Sequence, residues 1–352
     1  MAVFTNPAFD SHETVHFARD PAAGLTAIIA VHSTALGPAL GGCRIWPYAD
    51  EAAALTDVLR LSRGMSYKAA LAGLPLGGGK SVILADSRRD KTPAMMRAMG
   101  RAIQRLGGAY IVAEDVGATV ADMDAIAAET AHVSGTSATA GDPSPWTARG
   151  VALSLEAAAR LRLGQGVEGL AITVLGLGSV GGRLATILAE RGARLTVADI
   201  DAARAAAVAA ATGARVVAPD AAHAAPADVF APCALGAGLN ARTIPQIAAR
   251  LVCGAANNQL ETAEDDVRLA ARGILYCPDY LVNAGGLISV ARPALAMDDR
   301  AAEARLAAIP ETLRSLLAEA EARGTPPGAA ADRLARARMV APSSAGTRPA
   351  AG

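Results

Sequence analysis

Two lysines in one glycine-rich stretch, residues 63–83, are the first clue to chemistry in this chain. The chain has 33 lysine and arginine residues, yet its only lysines are Lys68, Lys80 and Lys91. Arginine is a fixed cation, whereas a buried lysine can lose its proton near neutral pH and act as a base. Glycines beside Lys68 and Lys80 would let a ligand approach the backbone. We therefore expect a site at these two lysines and expect Lys91, which stands among other charged residues, to be a surface residue.

The composition excludes several classes of protein. Charged residues make up 19% of the 352 residues and sum to a net charge of zero, which does not favour a nucleic-acid or membrane partner. Apolar runs are interrupted before they could span a bilayer, and the N-terminus lacks the pattern of a secretion signal. The four cysteines are scattered and form no CxxC pair, which is typical of reduced thiols. We expect a cytoplasmic protein.

One motif suggests a metal site that we do not expect to exist. His12 and His16 match the HExxH pattern, which needs a helix to bring both imidazoles to one zinc ion. The surrounding residues alternate between apolar and polar, as in a strand, where these two residues would lie roughly 13 Å apart. We therefore predict no metal.

A second glycine-rich motif indicates a dinucleotide site. Gly176, Gly178 and Gly181 follow an apolar segment, residues 171–175, and open a predicted helix. The next predicted strand ends at Asp199, at the spacing typical of a dinucleotide-binding fold. The glycines allow a tight turn beside the pyrophosphate, which binds at the helix N-terminus. The Asp199 carboxylate can accept hydrogen bonds from the ribose hydroxyls and would repel a 2′-phosphate, which favours NAD over NADP.

The remaining pattern predicts two α/β domains that join within the Gly, Ser and Pro-rich residues 135–145. The first domain should open with a hairpin and carry a glycine loop at residues 36–42. A helix should then run from a cap at Asp50 to a stop at Gly64, and a strand should follow at residues 81–84. Polar residues at strand ends place the site at the carboxyl edge of a sheet.

Two functions of different class fit these features. An NAD-dependent enzyme would use the first domain for cationic and acid/base groups. A non-catalytic regulator would bind NAD in the second domain, and the lysines and Asp115 would then be incidental. Turnover of a substrate distinguishes the two.

Seven segments carry a resemblance to the amino-acid dehydrogenases, in particular the leucine, valine and phenylalanine branch related to glutamate dehydrogenase. The resemblance runs in order from about residue 12 to residue 340. It has two departures: Ala118, where relatives usually carry threonine, and a C-terminus without the longer tail often seen in the leucine enzymes. The segments are residues 35–44, 63–83, 113–117, 144–147, 176–181, 254–258 and 280–286.

The resemblance implies a reversible reaction in which an L-amino acid, NAD and water give a 2-oxo acid, ammonia and NADH. Lys68, with Gly41 and Gly42, would hold the substrate carboxylate. Lys80 would deprotonate the water that attacks the imine, and Asp115 would exchange protons with the amino nitrogen. The cofactor domain would close against the substrate domain and exclude water.

The resemblance also implies binding residues. Apolar side chains would surround the substrate side chain and favour a branched aliphatic amino acid, with aromatic amino acids as the alternative. The substrate residues would be Leu40, Gly41, Gly42, Met65, Lys68, Ala113, Leu287 and Val290. The cofactor residues would be Thr147, Gly176, Gly178, Ser179, Val180, Gly181, Asp199, Cys233, Ala234, Asn257 and Asn283.

By the same resemblance, the fold should comprise an N-terminal α/β substrate domain and a C-terminal Rossmann-type NAD-binding domain. Residues 1–140 would bind substrate, carry out catalysis and form a homo-oligomer, either a dimer or an octamer. Residues 141–325 would bind NAD, residues 326–342 would form a helix returning to the first domain, and residues 343–352 would be a disordered tail.

Overall fold

The computed structural model describes residues 2–139 and 141–340, and these form two compact α/β units. Unit 1 contains the residues before 141 together with the end of the last helix, from residue 333; unit 2 contains residues 141–332. The expected α/β fold class is confirmed. The expected tail, residues 343–352, lies outside the described residues.

Unit 1 is built on a mixed five-stranded sheet. Its strands are β1 (Thr14–Asp20), β2 (Leu25–Ser33), β3 (Ala39–Trp46), β4 (Gly77–Leu84) and β5 (Tyr110–Glu114), in the order β1-β2-β4-β3-β5. The predicted hairpin is confirmed, because β1 and β2 pair antiparallel. β3 pairs parallel to both β4 and β5, so the three strands that carry the candidate site residues are neighbours at the centre and one edge of the sheet.

Helices cover both faces of this sheet. α1 (Glu51–Leu71) packs on one face and buries Leu55, Val58 and Leu59 against β2 and β4. α2 (Pro93–Gln104) and α3 (Val120–Ala127) pack on the other face, where Met96, Met99 and other apolar side chains form the larger core. Because successive strand residues point to opposite faces, each strand residue belongs either to the α1 face or to the α2 face.

α1 does not end where the sequence suggested. Asp50 caps its N-terminus as predicted, accepting a hydrogen bond of 2.7 Å from the Ala53 amide. The predicted stop at Gly64 is wrong, because the helix continues to Leu71. A glycine inside a helix costs only about 1 kcal/mol, and the buried residues Ser66 and Tyr67 keep the following turns packed. Lys68 is therefore a helical residue.

Unit 2 has the strand order of a dinucleotide-binding fold. Its six parallel strands are arranged β11-β10-β9-β6-β7-β8, which corresponds to the 3-2-1-4-5-6 order of the doubly wound sheet. The strands are β6 (Ala171–Leu175), β7 (Arg194–Ala198), β8 (Arg215–Val216), β9 (Val229–Pro232), β10 (Leu251–Val252) and β11 (Leu275–Tyr276). The order changes direction between β6 and β9, where such folds bind their ligands.

Helices flank the sheet of unit 2 and end the chain. They are α4 (Ser144–Leu163), α5 (Ser179–Glu190), α6 (Ala202–Thr212), α7 (Glu264–Ala271), α8 (Asp279–Val282), α9 (Gly285–Ala291), α10 (Asp299–Arg323) and α11 (Pro327–Val340). The first turns of α11 belong to unit 2 and its last turns to unit 1. Within unit 1, Arg338 of α11 donates to the carbonyl oxygens of Ala70 and Leu71 at the end of α1. Among the described residues, no helix is both long and apolar enough to cross a membrane.

A buried carboxylate of α7 makes the stability of unit 2 depend on pH. Asp266 is 4% exposed and accepts a hydrogen bond of 2.7 Å from the Gly328 amide at the start of α11. Burial raises the pKa of Asp266 to about 6 from its usual 3.8. Since the folded pKa is higher than the unfolded one, folding favours the protonated acid. The contribution of Asp266 to the free energy of unfolding is fully present below pH 4 and is lost as the pH rises through 6.

We expect Asp266→Asn to remove this pH dependence. The unfolding free energy of the variant, relative to the native chain, should rise by on the order of 2–3 kcal/mol between pH 4 and pH 7.5, since one pKa unit corresponds to about 1.4 kcal/mol. Urea unfolding followed by circular dichroism at both pH values measures the difference. Asp220→Asn, at an exposed carboxylate of unit 2, is the control. A pH-independent difference for Asp266→Asn would contradict the interpretation.

Candidate active site

Lys80 and Asp115 meet on the α1 face of the sheet in unit 1. The Lys80 Nζ atom lies 3.1 Å from Asp115 Oδ2. Lys80 is in the middle of β4, and Asp115 directly follows β5. The Lys80 side chain is 6% exposed and the Asp115 side chain 22% exposed, so the amine is almost enclosed while the carboxylate reaches solvent. Such a pair can transfer protons to or from a molecule held beside it.

The sheet register places two expected pocket residues on the same face as this pair. Leu40 lies opposite Gly78, which is two residues before Lys80, and Gly42 lies opposite Ala113, which is two residues before Asp115. Residues two apart on a strand share a face. Leu40 and Ala113 are therefore buried apolar neighbours of the acid/base groups.

The glycines around Lys80 do not have the expected role of letting a ligand approach the backbone. The prediction of a loop at residues 36–42 is wrong for residues 39–42, which are the first residues of β3. Gly77, Gly78 and Gly79 are strand residues of β4, which begins four residues before the predicted start at residue 81. A Cβ atom on Gly78 would lie 1.9 Å from the Ser66 amide nitrogen, and one on Gly79 would lie 2.6 Å from the Tyr110 ring. These glycines admit neighbouring protein groups rather than a ligand.

The glycine pair of β3 is also explained by close packing. A Cβ atom on Gly41 would lie 1.7 Å from the Gly79 carbonyl oxygen. One on Gly42 would lie 2.7 Å from Asp115 Cβ and 3.1 Å from Lys80 Nζ. Gly42 therefore leaves the space in which the lysine and the carboxylate meet. That Gly41 and Gly42 bind the substrate carboxylate stays a prediction.

The electrostatics of the pair shift the Lys80 amine towards its neutral form and the Asp115 carboxyl group towards its ionised form. Burial lowers the pKa of Lys80, and the opposing attraction of Asp115 does not restore it. Burial raises the pKa of Asp115, but the positive fields of Lys80 and Arg44 outweigh burial, so the carboxyl pKa is lowered from its ordinary value. The two pKa shifts are compatible, because Arg44 supplies a fixed positive charge that favours an ionised Asp115 even when Lys80 is neutral.

Arg44 was absent from the expected site, although it lies in one of the segments that carry the family resemblance. Its Nε donates to Asp115 Oδ2 at 2.9 Å, and its Nη1 donates to Asp57 Oδ2 at 3.0 Å. The signal available in the sequence was alternation along the strand, because Arg44 is two residues after Gly42 and therefore shares its face.

Lys68 and Met65 lie three residues apart in the last turns of α1, so they share one side of the helix. Both side chains are half-buried. The position of Lys68 at the helix C-terminus favours its positive charge. The role of both residues in substrate binding stays a prediction.

Lys91 is not the chance surface lysine that was expected. Its Nζ donates to Asp122 Oδ2 at 2.6 Å and to the Gly117 carbonyl oxygen at 3.0 Å, and its side chain is only 19% exposed. Asp122 caps α3 by accepting from the Thr119 amide. Lys91 therefore ties the turn after Asp115 to the start of α3.

The histidines of the HExxH match make other contacts. His12 Nε2 lies 3.0 Å from both the Leu59 carbonyl oxygen and Ser62 Oγ, while His16 is a β1 residue paired with Ile29. Within the described residues, no group of three His, Cys, Asp or Glu side chains is arranged to hold a metal.

In unit 2, the glycine motif forms a turn between β6 and α5. Gly176 has φ +93°, a conformation that other residues rarely adopt, and a Cβ atom there would lie 2.6 Å from the Ala234 amide nitrogen. A Cβ on Gly181 would lie 1.9 Å from the Gly176 carbonyl oxygen, whereas one on Gly178 would meet no atom within 4 Å. Gly176 and Gly181 make the turn. Gly178 faces the open side, where a pyrophosphate can approach.

The residues around this turn fit a dinucleotide. Ser179 and Val180 begin α5, whose free N-terminal amides favour a phosphate group. A groove of about 450 Å³ lies beside them, lined by Leu177, Gly178, Ser179, Gly182, Arg183 and Arg204. Its two guanidinium groups suit the charge of a pyrophosphate.

Asp199 lies at the end of β7, as predicted, but its carboxylate is already engaged. Oδ2 accepts a hydrogen bond of 2.6 Å from the Leu177 amide, and Oδ1 lies 3.2 Å from Arg204 Nη1. Burial raises the pKa of Asp199, but hydrogen bonds from the Asp201 and Leu177 amides and the charge of Arg204 lower it overall. The ionised acid can still accept ribose hydroxyls, while Arg204 weakens its repulsion of a 2′-phosphate.

The other expected cofactor residues fall into two groups within unit 2. Cys233 and Ala234 follow β9 and pack against Gly181 and Gly176. Asn283 Nδ2 donates to Asn257 Oδ1 at 2.8 Å, and the buried Asn283 Oδ1 has no partner among the described residues, so it can accept a donor from a ligand.

Thr147 and the remaining pocket residues also belong to unit 2. Thr147 Oγ1 donates to the Pro143 carbonyl oxygen at 3.1 Å and lies close to Gly286. Leu287 and Val290 are residues of α9, the first buried and the second half-buried. Their contribution to a substrate pocket stays a prediction.

The comparisons with known proteins identify the family. Residues 12–132 match the sequence model of the Glu/Leu/Phe/Val dehydrogenase dimerisation domain. Residues 194–306 match the Glutamate/Leucine/Phenylalanine/Valine dehydrogenase model. The chain belongs to this family, so the resemblance is confirmed. It is an amino-acid dehydrogenase, an oxidoreductase that acts on CH–NH2 donors and uses a nicotinamide cofactor.

Individual relatives cover nearly the whole chain. It is 46% identical over 343 residues to leucine dehydrogenase of Geobacillus stearothermophilus, which covers 96% of this chain and 94% of that protein. It is 45% identical over 336 residues to valine dehydrogenase of Streptomyces albus, with coverage of 94% and 92%. The crystal structure of L-tryptophan dehydrogenase from Nostoc punctiforme matches with a TM-score of 0.84 and 43% identity, covering 94% of this chain and 96% of that one.

We expect Gly42→Ala to break the contact between Lys80 and Asp115, because the added methyl group would occupy the space between them. Dehydrogenase activity should fall at least about 10²-fold, the usual loss when acid/base groups are misplaced. Steady-state assays with circular dichroism as a check of folding measure this.

Gly64→Ala is the matched control, since a Cβ atom there meets nothing within 4 Å and lies in a helix. It should retain activity and raise the unfolding free energy by up to about 1 kcal/mol. Full activity in a folded Gly42→Ala variant would contradict the role given to Gly42.

Proposed function

We propose that the chain catalyses the NAD-dependent, reversible oxidative deamination of an apolar L-amino acid of the leucine or valine type. The products are the 2-oxo acid, ammonia, NADH and a proton. The observation that carries the proposal is the buried contact of 3.1 Å between Lys80 and Asp115, on a sheet face that also holds the apolar residues Leu40 and Ala113. The curated relatives named above support the same substrate class.

Each unit has a separate task in this proposal. Unit 1 binds the substrate, supplies acid/base groups and forms the homo-oligomer, and unit 2 binds the cofactor at the turn between β6 and α5. A nicotinamide cofactor bound there would supply the hydride acceptor for the α-carbon of the amino acid. The fit of Gly176, Gly178 and Gly181 to a pyrophosphate, and the ionised Asp199, support NAD as that cofactor.

The residues of unit 1 move the protons of the reaction. Ionised Asp115 accepts a proton from the substrate ammonium group before the hydride leaves the α-carbon, and a neutral Lys80 deprotonates the water that attacks the imine carbon. Asp115 gives its proton to the nitrogen of the resulting carbinolamine and accepts the hydroxyl proton as the carbonyl forms and ammonia leaves, and both groups then release their protons to solvent. Lys68 holds the substrate carboxylate by charge-assisted hydrogen bonds.

The residues expected to surround the substrate side chain support the choice of substrate. Leu40 and Ala113 of unit 1 and Leu287 and Val290 of unit 2 carry no charge to pair with the second carboxylate of glutamate. The second candidate is an aromatic L-amino acid, phenylalanine or tryptophan, which the similarity to L-tryptophan dehydrogenase favours. One methylene in an apolar pocket changes the free energy of substrate discrimination by only about 1–3 kcal/mol. A measurement is therefore needed to separate the two substrate classes.

The surroundings of the enzyme are also part of the proposal. The family model that matches residues 12–132 is described as a dimerisation domain, which supports a homo-oligomer, either a dimer or an octamer. Cys43, Cys253 and Cys277 are buried free thiols, which supports the reducing cytoplasm as the location. We propose no nucleic-acid or membrane partner, as expected from the balanced charge.

The proposal is tested by a spectrophotometric screen of L-amino acids with NAD and NADP at alkaline pH. We expect L-leucine, L-valine and L-isoleucine to support the fastest reduction of NAD, with NADP much poorer. L-glutamate is the control for the uncharged pocket. If NAD binds but no amino acid supports turnover, the chain is a regulator. A clear preference for L-phenylalanine or L-tryptophan would establish the second candidate.

The two lysines should respond differently to substitution. Lys68→Ala should mainly raise KM for the amino acid, because the carboxylate is held in both the ground state and the transition state. Lys80→Ala should chiefly lower kcat, by on the order of 10²–10⁴-fold as for loss of a general base. Lys80→Arg should not recover this loss, because guanidinium keeps its proton at working pH.

Initial rates over a range of pH distinguish these effects, with Lys68→Ala as the matched comparison for Lys80→Ala. Lys80→Ala should also lose the limb of the pH profile that reports a neutral amine. Substantial activity in Lys80→Arg would show that Lys80 acts as a fixed charge.

A further inference from the structure

Arg44 holds the carboxylate that Lys80 also contacts. The Oδ2 atom of Asp115 lies 2.9 Å from Arg44 Nε and 3.1 Å from Lys80 Nζ. The same guanidinium reaches Asp57 of α1 at 3.0 Å, and the Tyr48 hydroxyl donates to that aspartate at 2.5 Å. Arg44 is therefore fixed from two sides, with its side chain 24% exposed.

Without Arg44, the charges of this cluster would favour a protonated lysine. A buried carboxylate needs a positive partner, and Lys80 would be the only cation on Asp115 Oδ2 among the contacts described above. The lysine would then retain its proton and could not act as a base. Arginine keeps its charge at any working pH, so it neutralises Asp115 without taking part in proton transfer.

We propose that Arg44 is a positioning residue, the permanent counter-ion of Asp115 that leaves the Lys80 amine free to be neutral and to accept a proton. The inference deepens the proposed function, in which Lys80 is the general base, and rests on it. Arg44 itself acts only through Asp115 and Lys80.

The elements around β4 carry the other charged and titratable groups. β3 carries Cys43 as well as Arg44, and β5 carries Tyr110 and is followed by Asp115. α1 carries Asp57 and Lys68, and β2 carries His32. Burial lowers the pKa of Lys80, Asp115 raises it, and Arg44 lowers it again, so the net direction is downward.

The arrangement also predicts that lysine is a poor substitute for Arg44. The planar guanidinium donates from two different nitrogens, to Asp115 and to Asp57 at once. A lysine at this position would be a point charge on a flexible chain and could itself lose its proton. Arg44→Lys should therefore give an effect of the same sign as Arg44→Gln, but a smaller one.

The experiment measures the protonation of Lys80 directly. Acetic anhydride acylates only neutral amines, so the pH dependence of labelling reports the fraction of each lysine that is neutral. The chain has only three lysines, and mass spectrometry of peptides follows all three in one sample of the full-length protein. Lys91, held by Asp122, serves as the internal reference.

We expect the labelling midpoint of Lys80 to move to higher pH by on the order of one to two units in Arg44→Gln, since a unit charge bound to the same carboxylate oxygen has an effect of this size. The midpoint of Lys91 should stay in place. Arg60→Gln, at an exposed arginine of α1, is the control and should shift neither lysine. The acid limb of kcat/KM, on which activity rises with pH as the amine becomes neutral, should move with the Lys80 midpoint.

An unchanged or lowered Lys80 midpoint in folded Arg44→Gln would overturn the proposal. If that variant does not fold, Arg44→Lys decides by the same criterion. The labelling needs no turnover, so a shifted midpoint in a protein that deaminates no amino acid would support the counter-ion role and refute the proposed function.

Discussion

The contact between Lys80 and Asp115 is the constraint on which the rest of unit 1 depends. An amine that is 6% exposed can exist only beside a partner of opposite charge or as a neutral group. The sheet meets this condition by placing β4 and β5 on either side of β3, with Gly42 of β3 leaving the necessary space. The acid/base chemistry that we propose follows from the neutral form of this amine.

Close packing of main chains makes this contact possible. Gly78 admits the backbone of α1 at Ser66, and Gly79 admits the ring of Tyr110, whose hydroxyl donates to the Gly41 carbonyl oxygen. A side chain at Gly78 would clash with α1 at Ser66, and one at Gly79 would clash with the Tyr110 ring of β5. The same strand that carries the lysine is thus held rigidly on both faces, which restricts where the amine can lie.

The sequence predicted unit 2 better than unit 1, for a physical reason. In unit 2 the signals are local, because an apolar strand, the spacing of Gly176, Gly178 and Gly181, and Asp199 at a strand end all lie within one short segment. In unit 1 the glycines of β4 suggested room for a ligand, whereas they are needed because Ser66 and Tyr110, which are distant in the chain, pack against them. Arg44 was missed as a site residue, and Lys91 was wrongly expected to be a surface lysine, for the same reason: their partners Asp115 and Asp122 become neighbours only in the fold.

The central claim, that Lys80 is a general base rather than a fixed charge, is tested most directly by chemical rescue. Lys80→Ala would be assayed with added primary alkylamines of similar volume and different pKa, at several pH values, and with guanidinium as the matched cation. A neutral base predicts that activity returns in proportion to the concentration of free amine and rises with its basicity, and that guanidinium gives none. Equal rescue by guanidinium, or rescue that follows the protonated amine, would contradict the account.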